Sequence, residues 1–212
     1  MAHHGTDVER VDRIMGTMFV SLAEYVRVFR IGTIGFDDLE VLATVPWGED
    51  TLRAEAEHGG LLYPHVRKHN IGALLKSGAD GSIPVRVPRF HFGSSGLENL
   101  HNWPGWLPTG WRIVRTRVEL GLPNDMIIQD RVILPTHQRA CRLETAEMAV
   151  LMAHRGVQVL ADGAAWSRDL VPCGCRALTG PYRKDGLDMR FGRDTDEHRL
   201  GGGLLLSRLP ET

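Results

Sequence analysis

Apolar residues recur every three or four positions along the first part of the chain: Val11, Met15, Met18, Leu22, Val26 and Phe29. That spacing predicts one amphipathic helix of about six turns. Ahead of it, Thr6-Asp7-Val8-Glu9 has the form of a capping box, with the threonine hydroxyl as the cap. Gly32 and Gly35 end the helix, and Leu39 to Val45 reads as a short strand that Pro46-Trp47-Gly48 breaks. Thr51 to His58 reads as a short helix closed by Gly59-Gly60. Pro64 suits the first residue of a further helix running toward Lys76.

From Ile83 the period falls to two. VRVPRFHF and then GWRIVRTRVEL, residues 110 to 120, alternate as strands do, and a glycine- and tryptophan-rich loop separates them. MIIQDRVIL, residues 126 to 134, reads as a tight hairpin or one bent strand. Thr136 is placed to cap a helix that reaches about Arg155, with Gly156 beyond its end. VQVL predicts a strand ending at Asp162-Gly163, and LLLSRL a last strand. The order predicts an α+β fold: N-terminal helices followed by a mostly antiparallel sheet, with one further packed helix. We expect a single globular domain over residues 1–212, with a helical part over 1–80 and a β-rich part over 81–212.

Composition narrows this picture only a little. Forty-two per cent hydrophobic and 24% charged residues suit a globular chain, and a net charge of −1 gives no global drive toward nucleic acid or membrane. No apolar run approaches the roughly 20 residues that span a bilayer. With three cysteines and no apolar leader, the expected setting is reduced and cytoplasmic. The charge is uneven, however. Residues 1–60 carry a net −6, residues 61–120 a net +5, and the remainder balances.

That basic middle supplies the leading functional candidate. Alternation sets Trp111, Ile113, Arg115 and Arg117 on one strand face, and Arg112, Val114 and Val118 on the other, which is the better core face. Arg115 and Arg117 are then expected to point outward. Arg86 and Arg89 come from the preceding strand, and Trp103 and Trp106 from the loop between. Arginines interleaved with aromatic rings suit single-stranded RNA or DNA, with cations for the backbone and flat surfaces for the bases. The alternative is a solvated arginine face with the tryptophans in the core.

Other groups carry less specific signals. His65 and His69, four apart, share a face if helical, and His58 lies upstream. Cys173 and Cys175 form a C-x-C pair with Cys141 elsewhere in the chain. Asp194, Asp196, Glu197 and His198 precede three glycines, Gly201 to Gly203, which read first as a strand entry and second as a ligand cradle.

Gly192, Arg193, Arg199 and Gly201 to Leu204 are similar in order to the glycine-rich loop of the RAMP superfamily of RNA-binding CRISPR proteins. GWRIVRTR followed by DRVILPTHQRACRLE is similar to the C-terminal part of AbiEi-type antitoxins. Each likeness covers a short stretch and transfers neither fold nor residue roles. Three readings follow. The first is a non-catalytic nucleic-acid-binding protein or ribonucleoprotein subunit, with no metal and no cofactor. The second is a small histidine-, cysteine- or metal-dependent enzyme. The third is a structural or assembly subunit that meets protein partners through its N-terminal helix.

Overall fold

A computed structural model describes residues 6–74, 91–92, 107–118, 135–161, 163–170, 175–183, 186–192 and 202–210. The 126–134 hairpin, and the strand over 85–92 apart from His91–Phe92, lie outside the described residues. The architecture is α+β, with helices and mostly antiparallel sheets.

The N-terminal apolar stripe does not form one helix. After strand β1 (Thr6–Asp7), helix α1 (Val8–Met15) stops at Gly16, whose φ of 52° leaves the helical region. A 3-10 turn (Gly16–Met18) and two extended residues intervene before α2 (Leu22–Phe29), which Ser21 caps. The break turns the apolar face of α2, which buries Tyr25, Val28 and Phe29 while Leu22 and Val26 are only half-buried. The cap of α1 is Asp7, which accepts from the Glu9 amide at 2.7 Å. Thr6 instead joins β1 and donates its hydroxyl to the Trp47 carbonyl.

The next expected strand is helix α3 (Phe36–Leu42), followed by the short β2 (Thr44–Val45) that pairs with β1. Helix α4 (Glu49–Glu57) matches its expected place. Pro64 opens no helix. It lies inside strand β3 (Gly60–His65), where all six residues are buried.

Beyond the short β4 (His91–Phe92), strand β5 (Gly110–Arg115) pairs with β3 along its whole length. Strand β6 (His137–Arg139) precedes helix α5 (Arg142–His154). Thr136 therefore caps nothing. Cys141 is the N-cap of α5, in a capping box with Glu144, and Gly156 beyond the helix adopts a φ of 77°. VQVL forms no strand, and Leu160 within it has a positive φ of 57°. Strands β7 (Ala165–Leu170), β8 (Arg176–Arg183) and β9 (Gly186–Gly192) then run antiparallel.

The last residues tie the two larger sheets together. Strand β10 (Gly203–Leu204) forms one edge of the five-stranded sheet, ordered β10-β7-β8-β9-β4, and like β4 at the other edge it pairs in parallel. One residue later, β11 (Leu206–Arg208) lies between β5 and β6 in the four-stranded sheet, ordered β3-β5-β11-β6. The glycine run is thus a strand entry at its described end. A Cβ at Gly202 would fall 2.7 Å from the Trp166 indole nitrogen, and its φ of 148° disfavours any side chain.

Helix α5 packs against β5, against β7 and β8, and against α2. Arg142 through Ala153 are all buried. One hydrophobic cluster runs from Val11 to Leu205, and Ala164, Trp166 and Leu178 form a small second one. Among the described residues no helix is long and apolar enough to cross a membrane.

Gly202→Ala is expected to destabilise the fold by about 1–3 kcal/mol, because the buried Trp166 ring must move. Urea unfolding checks this. An unchanged midpoint would show that the strand entry tolerates a side chain.

Candidate functional site

Strand alternation divides the four-stranded sheet into two faces, and each face meets a buried glutamate. Ile113, Arg115, Arg208 and His137 share one face by register and turn toward α4. Tyr63, His65, Arg112 and Ser207 share the other and turn toward α5.

On the first face, Glu55 of α4 is 1% exposed. Its carboxylate accepts from His137 Nε2 at 2.9 Å, from Arg115 Nε at 3.2 Å and Nη2 at 3.3 Å, and from Arg208 Nη1 at 3.3 Å. Burial by itself raises a carboxyl. Here the hydrogen bonds of His137 and Arg115, with their charges, outweigh it and hold Glu55 down at about 2. Because Nε2 of His137 faces a carboxylate, it carries the ring hydrogen. In the neutral ring Nδ1 is then the accepting nitrogen, 2.9 Å from the hydroxyl oxygen of Thr136. Thr136 is exposed, whereas His137 is buried. The backbone around it is fixed: the Leu209 amide donates to the Thr136 carbonyl, and the Leu209 carbonyl accepts from the Trp47 indole. A hydroxyl at the surface is thus connected through an oriented imidazole to an enclosed carboxylate.

On the second face, Glu147 of α5 has no exposure. Its Oε1 accepts from the Tyr25 hydroxyl at 2.6 Å and lies 2.8 Å from His65 Nδ1 and 3.1 Å from His69 Nδ1. The other nitrogen of His65 faces the Leu107 carbonyl at 3.2 Å. His65 therefore lies between two acceptors, the Glu147 carboxylate and the Leu107 carbonyl. Burial opposes ionisation of Glu147, and the charge and hydrogen bond of His65, then those of His69, bring it to about 2. Burial and the neighbouring Glu147 charge push the Tyr25 and Tyr63 hydroxyls up. Oε2 of Glu147 is buried with no hydrogen bond among the described residues. Glu144, one turn earlier, caps its own helix and accepts from Ser207 at 3.3 Å.

The residues singled out in the sequence are distributed differently. His65 and His69 do converge, though from a strand and the turn beyond it, while His58 is exposed at the end of α4 and bonds the Ala54 carbonyl. Among the described residues no group of three or more histidine, cysteine or acidic side chains is placed to hold a metal ion. Trp111 is buried, stacks on Phe19 with ring centroids 5.8 Å apart, and donates to the Leu42 carbonyl. Arg115 does not point free into solvent but is drawn onto Glu55, because α4 covers the face that periodicity left open. Arg117 is exposed.

Arg86, Arg89, Trp103, Trp106, Cys173 and the Asp194–His198 acids lie outside the described residues. Cys141 is buried at the N-cap of α5, and burial pushes its thiol up. Cys175 is half-buried.

The sequence pattern does not mark Glu55, His137, Tyr25 or Glu147 as site residues. A signal for the last was present. RLETAEMAVLMAH is apolar on nearly all sides, which marks an enclosed helix, and an acid in an enclosed helix must find donors.

Both glutamates titrate below the ordinary value of 4.5, at about 2. Their contribution to stability is therefore complete above about pH 4.5 and is lost as pH falls toward 2. Urea midpoints should fall steeply as pH drops below 4.5. Glu147→Gln should lower the unfolding free energy at pH 7 by about 3–5 kcal/mol and shallow the acid limb. An acid limb unchanged in the variant would mean that Glu147 is not ionised in the fold. Comparison with protein-family models, with curated proteins and with solved structures gives no match for this chain.

Proposed function

We propose that the chain is a small acyl-transfer hydrolase in which Thr136 is the nucleophile, His137 its base and Glu55 the group that orients the base. The observation that carries this reading is the unbroken relay from an exposed hydroxyl to a buried carboxylate, with both links at 2.9 Å. A hydroxyl becomes a competent nucleophile when an adjacent imidazole takes its proton, and the imidazole serves only if a third group fixes its tautomer. Glu55 does that for His137, and Arg115 and Arg208 keep Glu55 ionised while it does so.

The chemistry follows from those roles. Thr136 Oγ1 attacks the carbonyl carbon of an ester or amide, and its proton passes to His137 Nδ1. The bond to the leaving group breaks as that group takes the proton from His137. Water then attacks the threonyl ester with His137 again as base, which releases the acid and restores the hydroxyl. The nucleic-acid reading has less support among the described residues. Of the arginines proposed for it, Arg117 is exposed there and Arg115 is engaged with Glu55.

The test is pre-steady-state hydrolysis of p-nitrophenyl acetate, with mass spectrometry of the quenched protein. The wild-type chain should give a burst of nitrophenol and an acetyl group on the peptide that contains Thr136. Thr136→Ala, an exposed substitution that leaves the core intact, should lose both, while Thr136→Ser should keep them. A burst that survives Thr136→Ala, or no acetylation at Thr136, would overturn the assignment.

A further inference from the structure

Away from that relay, the break between α1 and α2 leaves a cleft of about 720 Å³ against the C-terminal end of α5. Such a volume falls in the range of roughly 300–1,000 Å³ that takes small organic ligands rather than a folded partner. Its walls are built from the irregular stretch that the sequence did not announce. Met18 and Phe19 follow the turn at Gly16, and Met152 and Val157 face them from α5 and its end. Val157 is 44% exposed, an apolar side chain left open at the cleft. Methionines lend such a wall adaptability, since the unbranched thioether fits ligands of different outline.

One end of the cleft is rigid and electrically neutral. Arg155 grips Glu24 with two bonds, at 2.8 and 2.7 Å, and its guanidinium also donates to the Thr17 and Phe19 carbonyls. The arginine charge is thus spent on Glu24 and on holding the turn in shape. Burial tends to raise the Glu24 carboxyl, but the Arg155 hydrogen bond is the larger effect and lowers it, so the pair stays ionised and matched.

The other end is acidic, and Arg13, four residues beyond Glu9 on the same helix, does not line it. Glu9 and Asp12, three apart on α1, line the cleft and stand exposed, and neither has an ion pair among the described residues. Arg10 of the same helix is turned away to Glu49. An apolar cavity with a paired Arg155–Glu24 clamp at one end and two carboxylates outside any ion pair at the other complements a molecule with an apolar body and a positive head.

We infer that this cleft binds a small organic cation, a primary amine on an aromatic or branched apolar body, with the amine between Glu9 and Asp12 and the body against Met18, Phe19 and Met152. The site is independent of Thr136 and stands whether or not the hydrolase reading does.

The test uses tryptamine and its uncharged analogue 3-ethylindole, titrated into the full-length ¹⁵N-labelled chain. Tryptamine should give saturable shifts in amides of residues 16–19 and 152–157. It should bind about tenfold more tightly than 3-ethylindole at low salt, a preference that shrinks as ionic strength rises. The double variant Glu9→Gln, Asp12→Asn, both surface changes, should remove that preference and keep the weaker apolar binding. No saturable shift with tryptamine, shifts mapping elsewhere, equal affinity for the two probes, or a preference that survives the double variant would each overturn the inference.

Discussion

Helix α5 lies between two sheets, so each side chain from Arg142 to Ala153 is withdrawn from water. Two of those side chains are glutamates, Glu144 and Glu147. Burying a carboxylate without donors costs several kcal/mol, and much of the surrounding arrangement answers that constraint. The β3–β5 pairing brings His65 under Glu147. The turn after β3 brings His69, and α2 is rotated so that Tyr25 points inward. The placement of β11 beside β5 gives Glu144 the Ser207 hydroxyl.

The four-stranded sheet therefore works as a divider. Its alternation sends Arg112, Tyr63, His65 and Ser207 toward α5, and Ile113, Arg115, Arg208 and His137 toward α4. Each set meets one or more glutamates. The side facing α5 is sealed, with three donors crowded on one oxygen of Glu147. The side facing α4 is sealed at Glu55 and opens at Thr136. The difference in access, rather than any difference in residue type, separates an enclosed network from a relay that ends in a hydroxyl at the surface.

The C-terminal segment makes this division rigid. Within six residues the chain closes the edge of the five-stranded sheet as β10 and fills the gap between β5 and β6 as β11. His137 lies opposite Arg208 in that ladder, so the imidazole and one guanidinium that meet Glu55 are set by strand register. Gly202 permits the crossing because Trp166 occupies the space that a side chain would need.

The sequence by itself determined the α+β order, the position of α4, the existence of the helix after residue 140, and the alternation of β5 residue by residue. These depend on periodicity, which is a local property. It did not determine which layer covers each face of β5. Arg115 was therefore expected in solvent, although α4 places Glu55 over it. The helix expected from Pro64 became a strand, because pairing with β5 overrides a local preference that proline expresses only weakly. Tertiary structure alone decided that Thr136, His137 and Glu55 form one relay, and that Tyr25, His65 and His69 meet at Glu147. These partners stand up to 122 positions apart in the chain. Periodicity reports which way a side chain points along its own element, and only the packing of elements decides what lies there to meet it.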